Sequence, residues 1–195
     1  MGRRATLLLP ILLLAAQAAL GAPPAPRPLS GSGVLTLRGG TEPESAPLPI
    51  YDEPGVLRLA ERRAGQLPRL SGSDQEPQLA ASARKGGWTR VAYDEAGREG
   101  WLEPSRGRIY LSWEEFLPGR TVRLLPGMKK GLYQLRSAPD DKAPPLSTLP
   151  RERELQLLGV DEEWARVKSP QGWVRWRDGD GRLTISLTGS DGEKR

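Results

Sequence analysis

The chain contains no cysteine and no histidine. Without cysteine there are no disulfides, no thiol nucleophile, no covalent haem attachment and no acylated cysteine of the bacterial lipoprotein kind. Without histidine there is no imidazole metal site and no His-based acid–base chemistry. Together the two absences remove Ser-His-Asp, Cys-His and the usual zinc schemes at their first residue. A carboxylate pair could still serve a glycosidase, but that chemistry needs a cleft, and no segment is large enough to frame one. The sequence therefore predicts a protein that is not an enzyme and uses no cofactor and no metal. Long apolar runs are also missing beyond the N-terminus. None reaches the roughly 20 residues that a helical span requires, so no stable membrane insertion is expected.

The N-terminus itself has the layout of a secretory signal peptide. Gly2-Arg3-Arg4 gives a positive start, and Leu7 to Ala16 is an apolar run in which Pro10 is the one irregularity. Ala19-Leu20-Gly21 supplies small residues where a signal peptidase reads them. The signal peptide is placed at 1–21, with Ala16-Gln17-Ala18 as a second candidate cleavage site. The competing reading, an uncleaved anchor, is opposed by the shortness of the run and by Gln17. The expected location is outside the cytoplasm, periplasmic or secreted. An exported protein without disulfides must rest on its apolar cores alone. Lys and Arg number 29 against 24 Asp and Glu, a net charge of +5 that falls to +3 when Arg3 and Arg4 leave with the leader. Both signs are interspersed, which describes a solvated surface and not a polyanion-binding stripe. Arg62-Arg63 and Lys129-Lys130 are short surface pairs, and no nucleic-acid partner is expected.

Part of the chain is written twice. Gly86-Gly87-Trp88-Thr89-Arg90-Val91 recurs as Glu162-Glu163-Trp164-Ala165-Arg166-Val167, and a Gly-Trp pair follows each, Gly100-Trp101 and Gly172-Trp173. Upstream, Leu48 to Pro54 lines up with Tyr133 to Pro139; downstream, Arg108 to Ser112 lines up with Arg182 to Ser186. A repeat of this kind reads as two small β modules in tandem. Short runs bounded by turn formers predict the strands. The first copy has them at 34–37, 48–51, 56–59, 66–70, 78–83, 88–93, 99–102 and 108–112. The second has them at 121–125, 132–136, 155–160, 164–168, 172–176 and 183–187. Trp113 to Leu117 reads as one helical turn, with Ser112 as N-cap and Glu115 completing a capping box. Pro118-Gly119 ends it. Trp113 and Phe116 are expected to pin this connector against a module. Asp178-Gly179-Asp180-Gly181 reads as a hairpin turn. It fails as a calcium loop, because Arg182 and Gly189 stand at ligand positions five and twelve. The domain reading is a Pro-rich spacer at 22–32, units at 33–113 and 120–187, a connector at 114–119 and a polar tail at 188–195.

These residues resemble the bacterial SH3 domain family, the exported SH3b module. Tyr133-Gln134-Leu135-Arg136-Ser137-Ala138-Pro139 is similar to the family's opening motif. Trp164-Ala165-Arg166-Val167 and Gly172-Trp173-Val174 are similar to its closing hairpin. The first copy departs from the pattern, with Tyr51, Asp52 and Glu53 where the family has Arg, Ser and Gly, and with a longer middle. The resemblance implies an all-β fold, two small and strongly bent SH3-like β-barrels in tandem joined by a short connector. It implies binding of peptidoglycan or peptides.

Six tryptophans in so short a chain invite a binding site. Residues two apart on a strand share a face, so Trp88 sits with Arg90, opposite Thr89, Val91 and Tyr93. Likewise Trp164 sits with Arg166, opposite Ala165 and Val167. If valine points inward, the tryptophans point partly outward and form a stacking platform for a sugar or a proline-rich peptide. The other reading, which the general burial of large aromatics favours, makes them caps that cover the opening heptad. Trp101 and Trp173, each after glycine, read as core or barrel-corner residues. Tyr51-Asp52-Glu53 is an acidic–aromatic cluster that is either part of a ligand groove or a solvated turn closing on Pro54. With Tyr133 and Arg136 of the second opening motif, the candidate ligand-binding set is Tyr51, Asp52, Glu53, Trp88, Arg90, Tyr133, Arg136, Trp164 and Arg166. The expected function is recognition of cell-wall glycopeptide. The alternative is an envelope adaptor that accepts an extended peptide from a protein partner.

Overall fold

The computed structural model describes residues 27–38, 46–70 and 76–187. The expected signal peptide, the start of the expected spacer and the expected tail from residue 188 lie outside the described residues. Seven strands come first: β1 (Gly33–Leu37), β2 (Leu48–Tyr51), β3 (Arg58–Arg62), β4 (Gln78–Lys85), β5 (Trp88–Ala92), β6 (Glu99–Leu102) and β7 (Arg108–Ser112). One helical turn, α1 (Trp113–Phe116), leads to seven more. These are β8 (Thr121–Leu124), β9 (Gln134–Arg136), β10 (Pro145–Thr148), β11 (Glu154–Asp161), β12 (Trp164–Val167), β13 (Gly172–Arg175) and β14 (Ile185–Leu187). The first sheet runs β3-β2-β6-β5-β4-β1-β7 and the second β10-β9-β13-β12-β11-β8-β14. Adding seven to every strand of the first order yields the second, so the duplication read in the sequence is a duplication of topology. The protein is all-β, with two small antiparallel units. Among the described residues no helix is long and apolar enough to cross a membrane.

The longest strand of each unit makes the bend. In β4, Gln78 to Ala81 pair with β1, a bulge follows between Ala81 and Ala83, and Ala83 to Lys85 pair with β5. In β11, Glu154 to Gln156 pair with β8, a bulge follows between Leu157 and Gly159, and Gly159 to Asp161 pair with β12. A bulge adds one residue, kinks the strand and raises its twist, so one strand serves both halves of its sheet. The Gly of each Gly-Trp pair has an equally physical cause. A Cβ on Gly100 would lie 2.3 Å from the Ile50 side chain, and one on Gly172 would lie 2.7 Å from Leu135 and 2.9 Å from the Arg136 carbonyl. Only glycine lets the opening strand lie this close.

The strand parity holds. Thr89, Val91 and Tyr93 are buried on one face of β5, and Ala165 and Val167 on one face of β12, while Arg90 and Arg166 are exposed. The helical turn forms as its capping box requires: the Ser112 hydroxyl accepts from Glu115 N and the Glu115 carboxylate accepts from Ser112 N.

Several expectations need correction. Among the described residues no pairing joins β3 to β7 or β10 to β14, so strand hydrogen bonds do not close either sheet into a barrel. The end strands explain this: β3 and β10 are largely exposed and offer little apolar surface to drive closure. Strand 56–59 starts instead at Arg58, because Asp52 N donates to Leu57 O and Val56 N to Glu53 O, which holds Val56 and Leu57 in the hairpin turn. Strand 66–70 is replaced by a 3-10 turn over Ala64–Gln66, closed by Arg63 N donating to the Gln66 side chain. A second 3-10 turn over Lys130–Tyr133 takes Leu132 out of strand 132–136. β10 was not anticipated, since Pro145 to Thr148 are exposed and show no alternation.

Two apolar clusters form. One lies inside the first unit around Leu35, Ile50, Leu79 and Val91. The other fills the second unit and takes in Val34, Trp113, Phe116 and Leu117, with Leu70 and Leu111 packed against it. β1 therefore alternates between two cores, Leu35 toward its own and Val34 toward its neighbour's. Trp113 is 2% exposed and lies 5.0 Å from Trp176 and 5.9 Å from Phe116 between ring centroids. Its indole N–H donates to Ser30 O at 2.9 Å.

Ser30 belongs to a segment that composition reads as spacer. Residues 27–30 lie along the second unit before the chain enters the first, where Ser32 N donates to Ala81 O. Ser30 N donates to Gly181 O at 2.8 Å, Leu183 N to Pro28 O at 2.9 Å and the Arg182 guanidinium to Arg27 O at 2.8 Å. The Arg27 guanidinium pairs with Asp178. Burial pushes the Asp178 carboxyl up. Hydrogen bonds from the Arg182 and Asp180 amides and from Arg27 outweigh it and hold the group below its ordinary range.

Two predictions follow from this packing. Trp113→Ala should remove about 3–5 kcal/mol of unfolding free energy in urea; a loss below about 1 kcal/mol would show that the ring does not join the units. A depressed folded-state pKa contributes stability above the unfolded carboxylate value, and this is lost as pH falls through the folded one. Asp178→Asn should therefore flatten the acid limb of the stability–pH curve below about pH 4; an unchanged limb would contradict it.

Candidate functional site

The closing hairpin of each unit sets the geometry. In antiparallel strands, residues directly across from one another share a face. Arg90 lies across from Trp101, and Trp101 across from Tyr51. In the second unit Arg166 lies across from Trp173, and Trp173 across from Arg136. The next pair, Trp164 across from Arg175, extends the pattern. The second unit thus carries a checkerboard of two indoles and three guanidiniums on the face turned away from its core.

In the first unit the equivalent face is closed. Trp88 is half-buried and meets Tyr51 edge to face, with centroids 5.2 Å apart. This is the cap over the opening heptad. Glu53 pairs with Lys85 at 3.3 Å, and Arg90 with Glu99 at 3.3 Å. Trp101 is 7% exposed. Asp52 lies exposed in the β2–β3 turn, whose backbone bonds it helps to make. The structure thus brings Tyr51, Glu53 and Trp88 to one corner and gives Arg90 a carboxylate of its own.

The second unit distributes its candidates differently. Tyr133 is buried, and its hydroxyl donates to Leu125 O at 2.8 Å and accepts from Met128 N at 3.2 Å. Arg136 donates to Ala143 O at 2.6 Å and to the Gln134 side chain at 2.7 Å, which ties down the arm between β9 and β10. Trp164 is 5% exposed under the Arg175 guanidinium, 4.6 Å from its ring centroid. Arg175 bonds Asp141 at 2.5 Å, and that hydrogen bond, against a smaller effect of burial, holds the Asp141 carboxyl low. Arg166 is exposed, and among the described residues its guanidinium has neither ion-pair nor hydrogen-bond partner.

Arg166 opens onto a cavity of ≈ 290 Å³ lined by Ser137, Leu146, Arg166, Gln171, Gly172 and Trp173. Trp173 corrects an expectation: it is half-buried and faces this cavity, not the core. Strand parity carried the signal, because the next residue, Val174, is fully buried. Ser137 and Gln171 had no local signal in the sequence. Leu146, 55% exposed at the cavity rim, belongs to the unanticipated β10.

No family model matches the chain, and no curated protein matches it. Among solved structures, that of the endolysin LysPBC5 CBD aligns with 80% of this chain and 96% of that one, at 10% identity and a TM-score of 0.26. A likeness of that degree carries no argument about fold or function.

Tyr133→Phe should lower stability by about 1 kcal/mol, because a part-buried carbonyl and amide lose their partner. Thermal unfolding reads the loss, and unchanged stability would remove Tyr133 from the structural set.

Proposed function

We propose that the protein is an exported, non-catalytic binding protein that holds cell-wall glycopeptide on the β12–β13 face of its second SH3-like unit. The observation that carries this reading is the Arg166 guanidinium, unpartnered among the described residues, beside the half-buried Trp173 ring at a cavity that Ser137, Gln171 and Leu146 also line. Sites for small ligands are concave and largely apolar, with a few placed polar groups. An indole offers a flat apolar surface with a polar edge, suited to a sugar ring. The leader-like N-terminus supports an extracytoplasmic setting. The lack of histidine and cysteine supports binding over chemistry.

One observation favours a second reading, an envelope adaptor. Among the described residues β10 pairs with β9 alone, so its outer edge, with the exposed Leu146, can accept an added strand from an extended peptide.

Retention on purified sacculi separates the two. The full mature chain should be retained well above an unrelated protein of equal size and charge, and Arg166→Gln should lose most of that excess. Retention equal to the control would end the wall reading. Recovery of one recurrent protein partner after crosslinking in cells, without glycan, would favour the adaptor.

A further inference from the structure

We propose that the second unit alone makes the ligand contact, and that the group it selects is a carboxylate lying beside an apolar or ring surface. Arg166 takes the carboxylate and Trp173 the adjoining face. This rests on the binding reading above and names the chemical group which that reading leaves open.

The two copies provide the argument. Gly100-Trp101 and Gly172-Trp173 occupy the same place in register, so Glu99 of the first copy corresponds to Gln171 of the second. Glu99 pairs with Arg90 at 3.3 Å. Gln171 has the same reach and no charge, and it stands in the wall of the cavity beside Arg166. The exchange removes an internal carboxylate from beside the Arg–Trp cross-strand pair that both copies keep. What the first copy satisfies from within its own sheet, the second leaves for another molecule.

The surroundings of Arg166 narrow the choice of ligand. The other cavity side chains that can hydrogen-bond, Ser137, Gln171 and the Trp173 indole N–H, are neutral. The other two guanidiniums of the face are engaged, Arg136 by Ala143 and Gln134, and Arg175 by Asp141. One free guanidinium presents a planar fork that matches one carboxylate in a bidentate pair. A chain of repeated phosphates would call on several cations, and Arg166 is the one cation in the lining of this cavity. A cavity of ≈ 290 Å³ holds one sugar or amino-acid residue, not a polymer segment. The half-buried indole and the exposed Leu146 then meet the carbon skeleton next to the carboxylate.

The test measures affinity of the full mature chain by calorimetry for soluble wall fragments, disaccharide-peptides with free carboxyl groups, and for the same fragments with those carboxyls amidated. Amidation should weaken binding about tenfold or more, the size of a lost charge-assisted contact. Gln171→Glu, which restores the acid of the first copy, should weaken the free-acid fragment by the same factor of about ten and leave thermal unfolding unchanged. Glu99→Gln in the first unit should leave affinity within about twofold, since Trp101 stays covered. Equal binding of amidated and free-acid fragments, or wild-type affinity in Gln171→Glu, would overturn the assignment while sacculus retention kept the binding reading alive. If the wild-type chain holds neither sacculi nor fragments, both fall.

Discussion

The ring of Trp113 packs tilted against Trp176, meets Phe116 edge-on and donates its N–H to the carbonyl of Ser30. Three parts of the chain thereby meet on one side chain: the N-terminal strap, the end of the first sheet and the core of the second. Val34 reaches into the same cluster from β1. A tandem repeat with a free linker would let its units move apart. Here the connector is the shared core, and the strap crosses the joint a second time through Arg27 and Asp178. A chain without disulfides gains its margin by pooling apolar burial across two small units.

The shared scaffold explains what the copies keep and what they change. Both keep the bulged long strand and the glycine beneath the opening strand. These positions build the bend, and a change there would disturb packing. The outer face is free to diverge because it carries no core. In one copy it is sealed by Glu99, Lys85 and the Tyr51–Trp88 corner. In the other, Gln171 leaves a charge open to solvent.

Much of this was legible in the sequence because two periodicities speak plainly. The repeat fixed which segments correspond, and strand parity fixed which of their residues face inward, down to Val91 and Val167. The capping box at Ser112 and Glu115 was equally readable, being a local interaction. What escaped depends on distant partners. Nothing near Pro28 or Ser30 announces a strap along Gly181 and Leu183. Nothing in Pro145 to Thr148 announces a strand, because its pairing comes from β9 and its side chains stay exposed. Of the candidate site, Arg166 was found by parity with Trp164. For Trp173 the preceding glycine suggests a core or barrel-corner place, and the alternation with the buried Val174 excludes the core. Tyr133 and Arg136 were marked by motif, yet their polar atoms close internal turns.

The central claim is that ligand meets one face of one unit. Amide chemical-shift mapping during titration with soluble disaccharide-peptide tests it most directly. Shifts should be confined to Arg166, Gln171 to Val174, Ser137 and Leu146, with the corresponding residues of β5 and β6 unmoved. Shifts centred on Tyr51, Trp88 and Arg90, or spread equally over both units, would contradict it.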